Sequence, residues 1–118
     1  MKILLVDDNV VIRTYTSYLL LKEGYDVHTA ENPLLALKTL SELKPDLIIS
    51  DLMMPEMNGY EFMKEIRASY EFRHIPLIMI STLNDPEQVS AYMKEGLSAY
   101  LNKPFQGAAL INQIKQLI

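Results

Sequence analysis

The sequence predicts an α/β chain with a single doubly wound sheet of five parallel strands, order 2-1-3-4-5, spread over residues 1–118 as one domain. Three observations predict it. Five strand-like segments alternate with five helix-like ones, leaving nothing over for a second domain. The first, third and fourth strand-like segments are apolar without alternation, as strands covered on both faces are, which places them in the middle. The second and fifth are shorter or more polar, which places them at the edges.

Taken in order, Ile3–Val6 is the first strand and runs into Asp7-Asp8-Asn9, residues able to cap a helix. That helix covers about Val10–Lys22, carries Val11, Tyr15, Tyr18 and Leu19, and stops at Gly24. Asp26–Ala30 alternates like a strand with one wetter side. Pro33 opens a helix to about Leu43 with Leu34, Leu37 and Leu40 at helical spacing, and Lys44-Pro45 breaks it. Leu47-Ile48-Ile49 is the central strand; it ends in the carboxylate of Asp51, and Pro55 prevents continuation. Asn58-Gly59 is a turn signal, followed by a helix to about Ala68 that buries Phe62, Met63 and Ile66. Pro76–Ile80 is the fourth strand, ending at Ser81-Thr82. Pro86–Glu95 is a helix stopped by Gly96, Ala99–Leu101 a short fifth strand, and Gly107–Ile118 the last helix.

The chain has 118 residues, 49% hydrophobic and 22% charged, enough for a full core. It has no cysteine, hence no disulfide, zinc–thiolate site or thiol nucleophile. No apolar run approaches the ~20 residues of a membrane span, so the expectation is a cytoplasmic protein without membrane insertion. A net charge of −4 without a basic block argues against direct nucleic-acid binding.

Under this strand order Asp7 and Asp8, Asp51, Ser81 and Lys103 leave four different strands at one end of the sheet, where open α/β sheets bind ligands. Carboxylates meeting there repel: two charges ~4 Å apart interact by about 4 kcal/mol at an effective dielectric of ~20. Lys103 supplies one counter-charge. A hard divalent cation is the natural second, and carboxylates with carbonyls and waters, without His or Cys, suit Mg²⁺ better than zinc. The cluster therefore reads as a phosphoryl site in which Asp51 is the candidate nucleophile and Ser81 a hydroxyl donor.

Each residue has a plainer reading. Asp8 or Asn9 could only cap the helix, Ser81 satisfy a loop, and Tyr100 pack on an edge strand. Met53, Met54 and Met57 read as rim and core filler. His28 and His74 read as surface residues away from the acids.

The chain resembles bacterial two-component response-regulator receiver domains, the CheY-like group, over essentially its whole length. The matching pieces are Asp7-Asp8, the D-L-M-M-P beginning at Asp51, Met57-Asn58-Gly59, Pro76 to Ser81, and Tyr100 followed by Lys103-Pro104-Phe105. The resemblance implies the flavodoxin-like (βα)5 fold, whose strand order is the one read above. It implies that Asp51 takes a phosphoryl group from a phosphohistidine, acting as a phosphoacceptor switch and not as an enzyme on other substrates. Asp8, Asp51 and the backbone carbonyl of Met53 would bind Mg²⁺, with Mn²⁺ able to substitute, and Asp7 would act through water. Lys103 and Ser81 would contact the phosphoryl group, with Thr82 beside them. Tyr100 would swing inward and remodel the face of the fourth helix, fifth strand and fifth helix. The Lys103–Pro104 bond would be cis. The implied donor is a sensor histidine kinase or a histidine phosphotransfer protein; the implied receiver of the signal is a downstream target, a fused output domain or a second copy of the chain.

The chain also departs from the pattern. Thr82 stands where a small residue is usual and would crowd the entrance. Met53 and Leu83, both apolar, flank the approach of hydrolytic water, so the aspartyl phosphate should be long-lived. The fourth and fifth helices contain no arginine for a charged dimer network. Leu110, Ile111, Ile114, Leu117 and Ile118 instead form either a core stripe with a frayed end or an apolar docking face. Two other functions compete. A haloacid-dehalogenase-type phosphatase would want an acid two residues after the nucleophile, where Met53 stands. A phosphorylation-independent binding module would usually have lost an acid or the lysine, and this chain has all of them.

Overall fold

The computed structural model describes every residue from Met1 to Ile118. The elements are β1 (Lys2–Val6), α1 (Val10–Lys22), β2 (Asp26–Ala30), α2 (Pro33–Leu43), β3 (Leu47–Asp51), α3 (Gly59–Ala68), β4 (Leu77–Ser81), α4 (Pro86–Lys94), β5 (Ala99–Asn102) and α5 (Gly107–Leu117). The strands form one parallel sheet in the order β2-β1-β3-β4-β5, as the apolar runs predict. The register places Val6 opposite Ser50, Asp51 opposite Ile80, and Ser81 opposite Asn102, so the carboxyl ends of four strands lie side by side.

Both faces of the sheet are covered, and the strand period of two divides the core. Ile3, Leu5, Leu47, Ile49, Ile78 and Ile80 meet Leu20 of α1 and Leu110, Ile111 and Ile114 of α5. Leu4, Val6, Ile48, Leu77 and Met79 point the other way, toward α2, α3 and α4 through residues such as Leu40, Phe62 and Tyr92. Each fully buried large apolar side chain contributes about 1.5–3 kcal/mol, which explains why the three central strands lack polar alternation.

Four helices begin at side-chain caps: Asn9, Asn32, Asn58 and Asp85 each accept a backbone N–H of the first turn. Two of these caps change the reading of the chain. Asn9, and not Asp8, closes the start of α1. Asn58-Gly59 is no turn: Asn58 caps α3 through a reciprocal pair with Glu61, and Gly59 is already helical.

Helix α1 turns a different face inward than its apolar residues suggest. Val11, Tyr15 and Tyr18 are exposed, and Thr16 and Leu20 are buried. Apolar residues lie on several sides of this helix, so spacing alone does not select a face. The Thr16 hydroxyl is buried without a hydrogen-bond partner. A desolvated, unpaired hydroxyl costs about 1–3 kcal/mol, so the isosteric Thr16→Val should raise unfolding free energy by about 1 kcal/mol in urea titration. A less stable variant would show that the hydroxyl is satisfied in solution. On α5 the wide stripe is core: Leu110, Ile111 and Ile114 are buried, Leu117 packs beside them, and Ile118 alone is exposed. The docking-face alternative therefore loses its apolar residues to the interior. No helix is long and apolar enough to cross a membrane.

Candidate functional site

Asp51 is the last residue of β3 and emerges at the middle of the carboxyl edge, with β1 on one side and β4 on the other. Asp7 continues the line of β1, its N–H bonded to the Ala30 carbonyl at 3.1 Å. Its Oδ1 accepts the Asn9 N–H at 2.9 Å, which fixes the carboxylate. Because Asn9 does the capping, the Asp8 carboxylate stays free for the site. Lys103 follows β5 and is anchored by its own N–H, which donates to the Ser81 carbonyl at 2.8 Å. The Lys103–Pro104 bond is cis.

The structure brings the three acids together: one carboxylate oxygen from each of Asp7, Asp8 and Asp51 lies within 4.8 Å of the others. Asp7 and Asp51 are buried and Asp8 is exposed. Lys103 Nζ sits 3.3 Å from Asp51 Oδ1 and 3.7 Å from Asp7 Oδ2, with its side chain 14% exposed. One lysine against three carboxylates leaves the cluster short of positive charge. The Met53 carbonyl accepts no hydrogen bond from the protein, and together with the three carboxylates it offers only oxygen donors. Hard divalent cations take such donors.

Burial pushes the Asp51 carboxyl above its ordinary value; the Lys103 charge opposes this and the Asp7 charge adds to it. The folded chain therefore holds this proton more tightly than the unfolded one. The stability linked to it is greatest below the ordinary value of 3.8 and declines as pH rises from there through the raised value. In magnesium-free buffer Asp51→Asn should thus be the more stable protein at neutral pH, with the gap closing below about pH 4. Denaturant titrations at several pH values check this, and an Asn variant less stable at neutral pH would contradict it.

Ser81 is fully buried, and its Oγ accepts the Leu83 N–H at 3.1 Å. Tyr100 is half-buried against the α3–α4 side of the core, and its Oη donates to the Leu83 carbonyl at 2.6 Å. Burial raises the Tyr100 pKa, and the neighbouring Ser81 hydroxyl partly offsets the rise. Thr82 is exposed and lines, with Ile12, Tyr15, Pro104 and Phe105, an open hollow of about 330 Å³ that reaches Lys103. Met53 is 66% exposed at the rim. His28 and His74 lie on the edge strand β2 and in the α3–β4 connection, outside the acid cluster.

Two residues shape the site in roles the motifs did not give them: Arg13, which belongs to none of them, and Gly59, matched only as the end of Met57-Asn58-Gly59. Arg13 Nη1 donates to the Asp7 carbonyl at 2.7 Å and brings a second cation to the edge of the cluster. Its signal was available: a cation near the start of a helix opposes the macrodipole and needs another reason to be there. Gly59 packs so closely on β3 that a Cβ would lie 2.4 Å from the Asp51 carbonyl oxygen. Between them Glu56 adopts φ 70° in a three-residue turn closed from the Met57 N–H to the Pro55 carbonyl at 2.8 Å, a strained conformation for a non-glycine residue.

The family profile described as response regulator receiver domain matches residues 3–115. The two-component response regulator ORR3 of Oryza sativa subsp. indica is 37% identical over 103 residues, which span 86% of this chain and 79% of that protein. The transcriptional regulatory protein CpxR homolog of Haemophilus influenzae is 38% identical over 99% of this chain but only 50% of its own length. Among solved structures, the chemotaxis response regulator CheY4 of Vibrio cholerae superposes with a TM-score of 0.92 at 34% identity, covering 99% of this chain and 98% of that one.

Proposed function

This chain belongs to the response regulator receiver domain family of two-component signalling, and from that membership we propose that Asp51 accepts a phosphoryl group from a phosphohistidine. The observation that carries the reading is Lys103 Nζ held between Asp51 and Asp7 at the centre of the carboxyl edge. A carboxylate oxygen of Asp51 forms the new bond to phosphorus as the bond from phosphorus to the donor imidazole nitrogen breaks. The electron pair passes to that nitrogen, which takes a proton from solvent. Lys103 shifts its contact from Asp51 to an oxygen of the arriving group, and the buried Ser81 hydroxyl donates to another.

Asp8, Asp51 and the Met53 carbonyl would hold Mg²⁺ or Mn²⁺, with Asp7, whose Oδ1 is committed to Asn9, acting through water. The ion would offset the acids and stabilise charge on the transferring oxygens. The donor is a sensor kinase or histidine phosphotransfer protein. The phosphorylated chain then acts on a target, an output domain or a second copy through the α4-β5-α5 face, by shifting a two-state equilibrium. Incubation with acetyl phosphate and Mg²⁺ followed by intact mass tests this. One phosphoryl adduct is expected, absent in Asp51→Asn and strongly reduced in Asp8→Asn; an adduct that persists in Asp51→Asn would overturn it.

The adduct should be long-lived. Met53 is exposed and apolar at the rim, and it offers nothing to orient an attacking water. Met53→Asn should speed hydrolysis several-fold at little cost to the fold, whereas Leu83→Glu also disturbs core packing and is the poorer probe. Decay followed by mass after donor removal checks this; an unchanged or slower rate would discard it.

A further inference from the structure

We propose that Asn102 is a positioning residue for the phosphoryl site, a second latch that holds the β4–α4 loop in the phosphoryl-receptive arrangement before any phosphoryl group arrives. The inference rests on the function just proposed and deepens it.

The Leu83 backbone is gripped at both of its polar groups. Its N–H donates to Ser81 Oγ at 3.1 Å. Its carbonyl accepts from Tyr100 Oη at 2.6 Å and from Asn102 Nδ2, also at 2.6 Å. A carbonyl oxygen has two lone pairs, so both donors bind together. Tyr100 and Asn102 stand two apart on β5 and therefore face the same side of the sheet. Asn102 also lies opposite Ser81 in the β4–β5 register and immediately precedes Lys103.

The consequence follows from hydrogen-bond capacity. With Leu83 N–H occupying an acceptor lone pair of Ser81 Oγ, the Ser81 proton is left to donate, as a phosphoryl oxygen requires. Whatever fixes Leu83 therefore fixes the direction of that hydroxyl. A tyrosine acting alone would release the loop when its hydroxyl left. Here the amide of Asn102 stays on the carbonyl, so the loop remains set. Asn102 is exposed and packs in no core, so its contribution is positional and not structural.

The experiment uses the whole chain with Asn102→Leu, which keeps the side-chain shape without the donor, Tyr100→Phe, their double variant, and Asn102→Gln as the donor-retaining rescue. Two readouts are taken: hydrogen exchange of the Leu83 amide in the unphosphorylated protein, and the rate of phosphoryl uptake from acetyl phosphate. One hydrogen bond of ordinary net strength predicts that Asn102→Leu accelerates Leu83 exchange and slows uptake each about 3- to 10-fold, with any loss of global stability no larger than that one bond. Because the donors share one acceptor, the double variant should lose more than the product of the single losses. Asn102→Gln should recover both readouts. Leu83 exchange equal to the parent in Asn102→Leu, or a double variant no worse than Tyr100→Phe, would overturn the latch. Failure of the unsubstituted chain to take up phosphoryl would instead overturn the function proposed for Asp51, since the exchange readout is independent of it.

Discussion

Lys103→Met is expected to slow phosphoryl uptake by about 100- to 1,000-fold, the usual cost of removing one preorganised charge from a group-transfer site. Methionine preserves most of the length and apolar stem, so the change isolates the ammonium. That ammonium lies 3.3 Å and 3.7 Å from two carboxylates that are nearly buried. Breaking a buried pair from one side strands the other partner, at a cost on the order of 3 kcal/mol. The variant should therefore also be less stable in magnesium-free buffer at pH 7. The deficit should shrink with acid, as Asp51 takes up a proton, and with added Mg²⁺. Paired urea titrations with and without the ion, alongside uptake rates, make the comparison. A variant of parental stability in magnesium-free buffer would show that Lys103 is not the counter-charge of the acids.

The second large effect belongs to a residue without chemistry. Gly59→Ala should lose about 2 kcal/mol of stability and most of its phosphoryl uptake. Two terms oppose each other. Alanine favours a helix over glycine by about 1 kcal/mol. Overpacking costs typically 1–3 kcal/mol, and the upper end applies because the atoms met are backbone: the Asp51 carbonyl oxygen at 2.4 Å and Leu52 Cα at 2.9 Å. Neither can rotate away, so either α3 retreats or the end of β3 shifts, and the second displaces Asp51. Gly24→Ala is the contrast. That glycine has φ +90° but nothing within 4 Å, so it should cost a comparable strain of about 1 kcal/mol and leave uptake untouched. Normal uptake in Gly59→Ala would show that the α3 contact does not position the nucleophile.

Asp51 and Gly59 mark where sequence reasoning succeeds and where it stops. The placing of Asp51 at the centre was legible because Leu47–Ile49 and Leu77–Ile80 contain no polar interruption, and only central strands tolerate that. The role of Gly59 was not legible, because Asn-Gly is an ordinary turn signal and nothing near it in the chain announces β3 a few ångströms away. Helix α1 gives the same lesson: Val11, Tyr15 and Tyr18 are as apolar as a core face, yet Thr16 and Leu20 face inward. Tyr100 was readable as a switch or as packing; its bond to the Leu83 carbonyl, shared with Asn102, depends on a loop 17 residues earlier in the chain.

From the order of its residues alone this chain determined five alternating units, the strand order and the set of acidic, hydroxyl and lysine side chains that share one edge. Those properties follow from local patterns: runs, caps and breakers act on neighbours in the chain. Tertiary structure alone decided which side of α1 is buried, that Asn9 frees Asp8 by capping in its place, that Arg13 and Gly59 belong to the site, and that two donors meet on one carbonyl. The buried side of α1, the place of Gly59 against β3 and the shared carbonyl depend on distances between separate segments, which are set only when the core packs. Asn9 and Arg13 act over two to six residues, where the local pattern leaves more than one partner open.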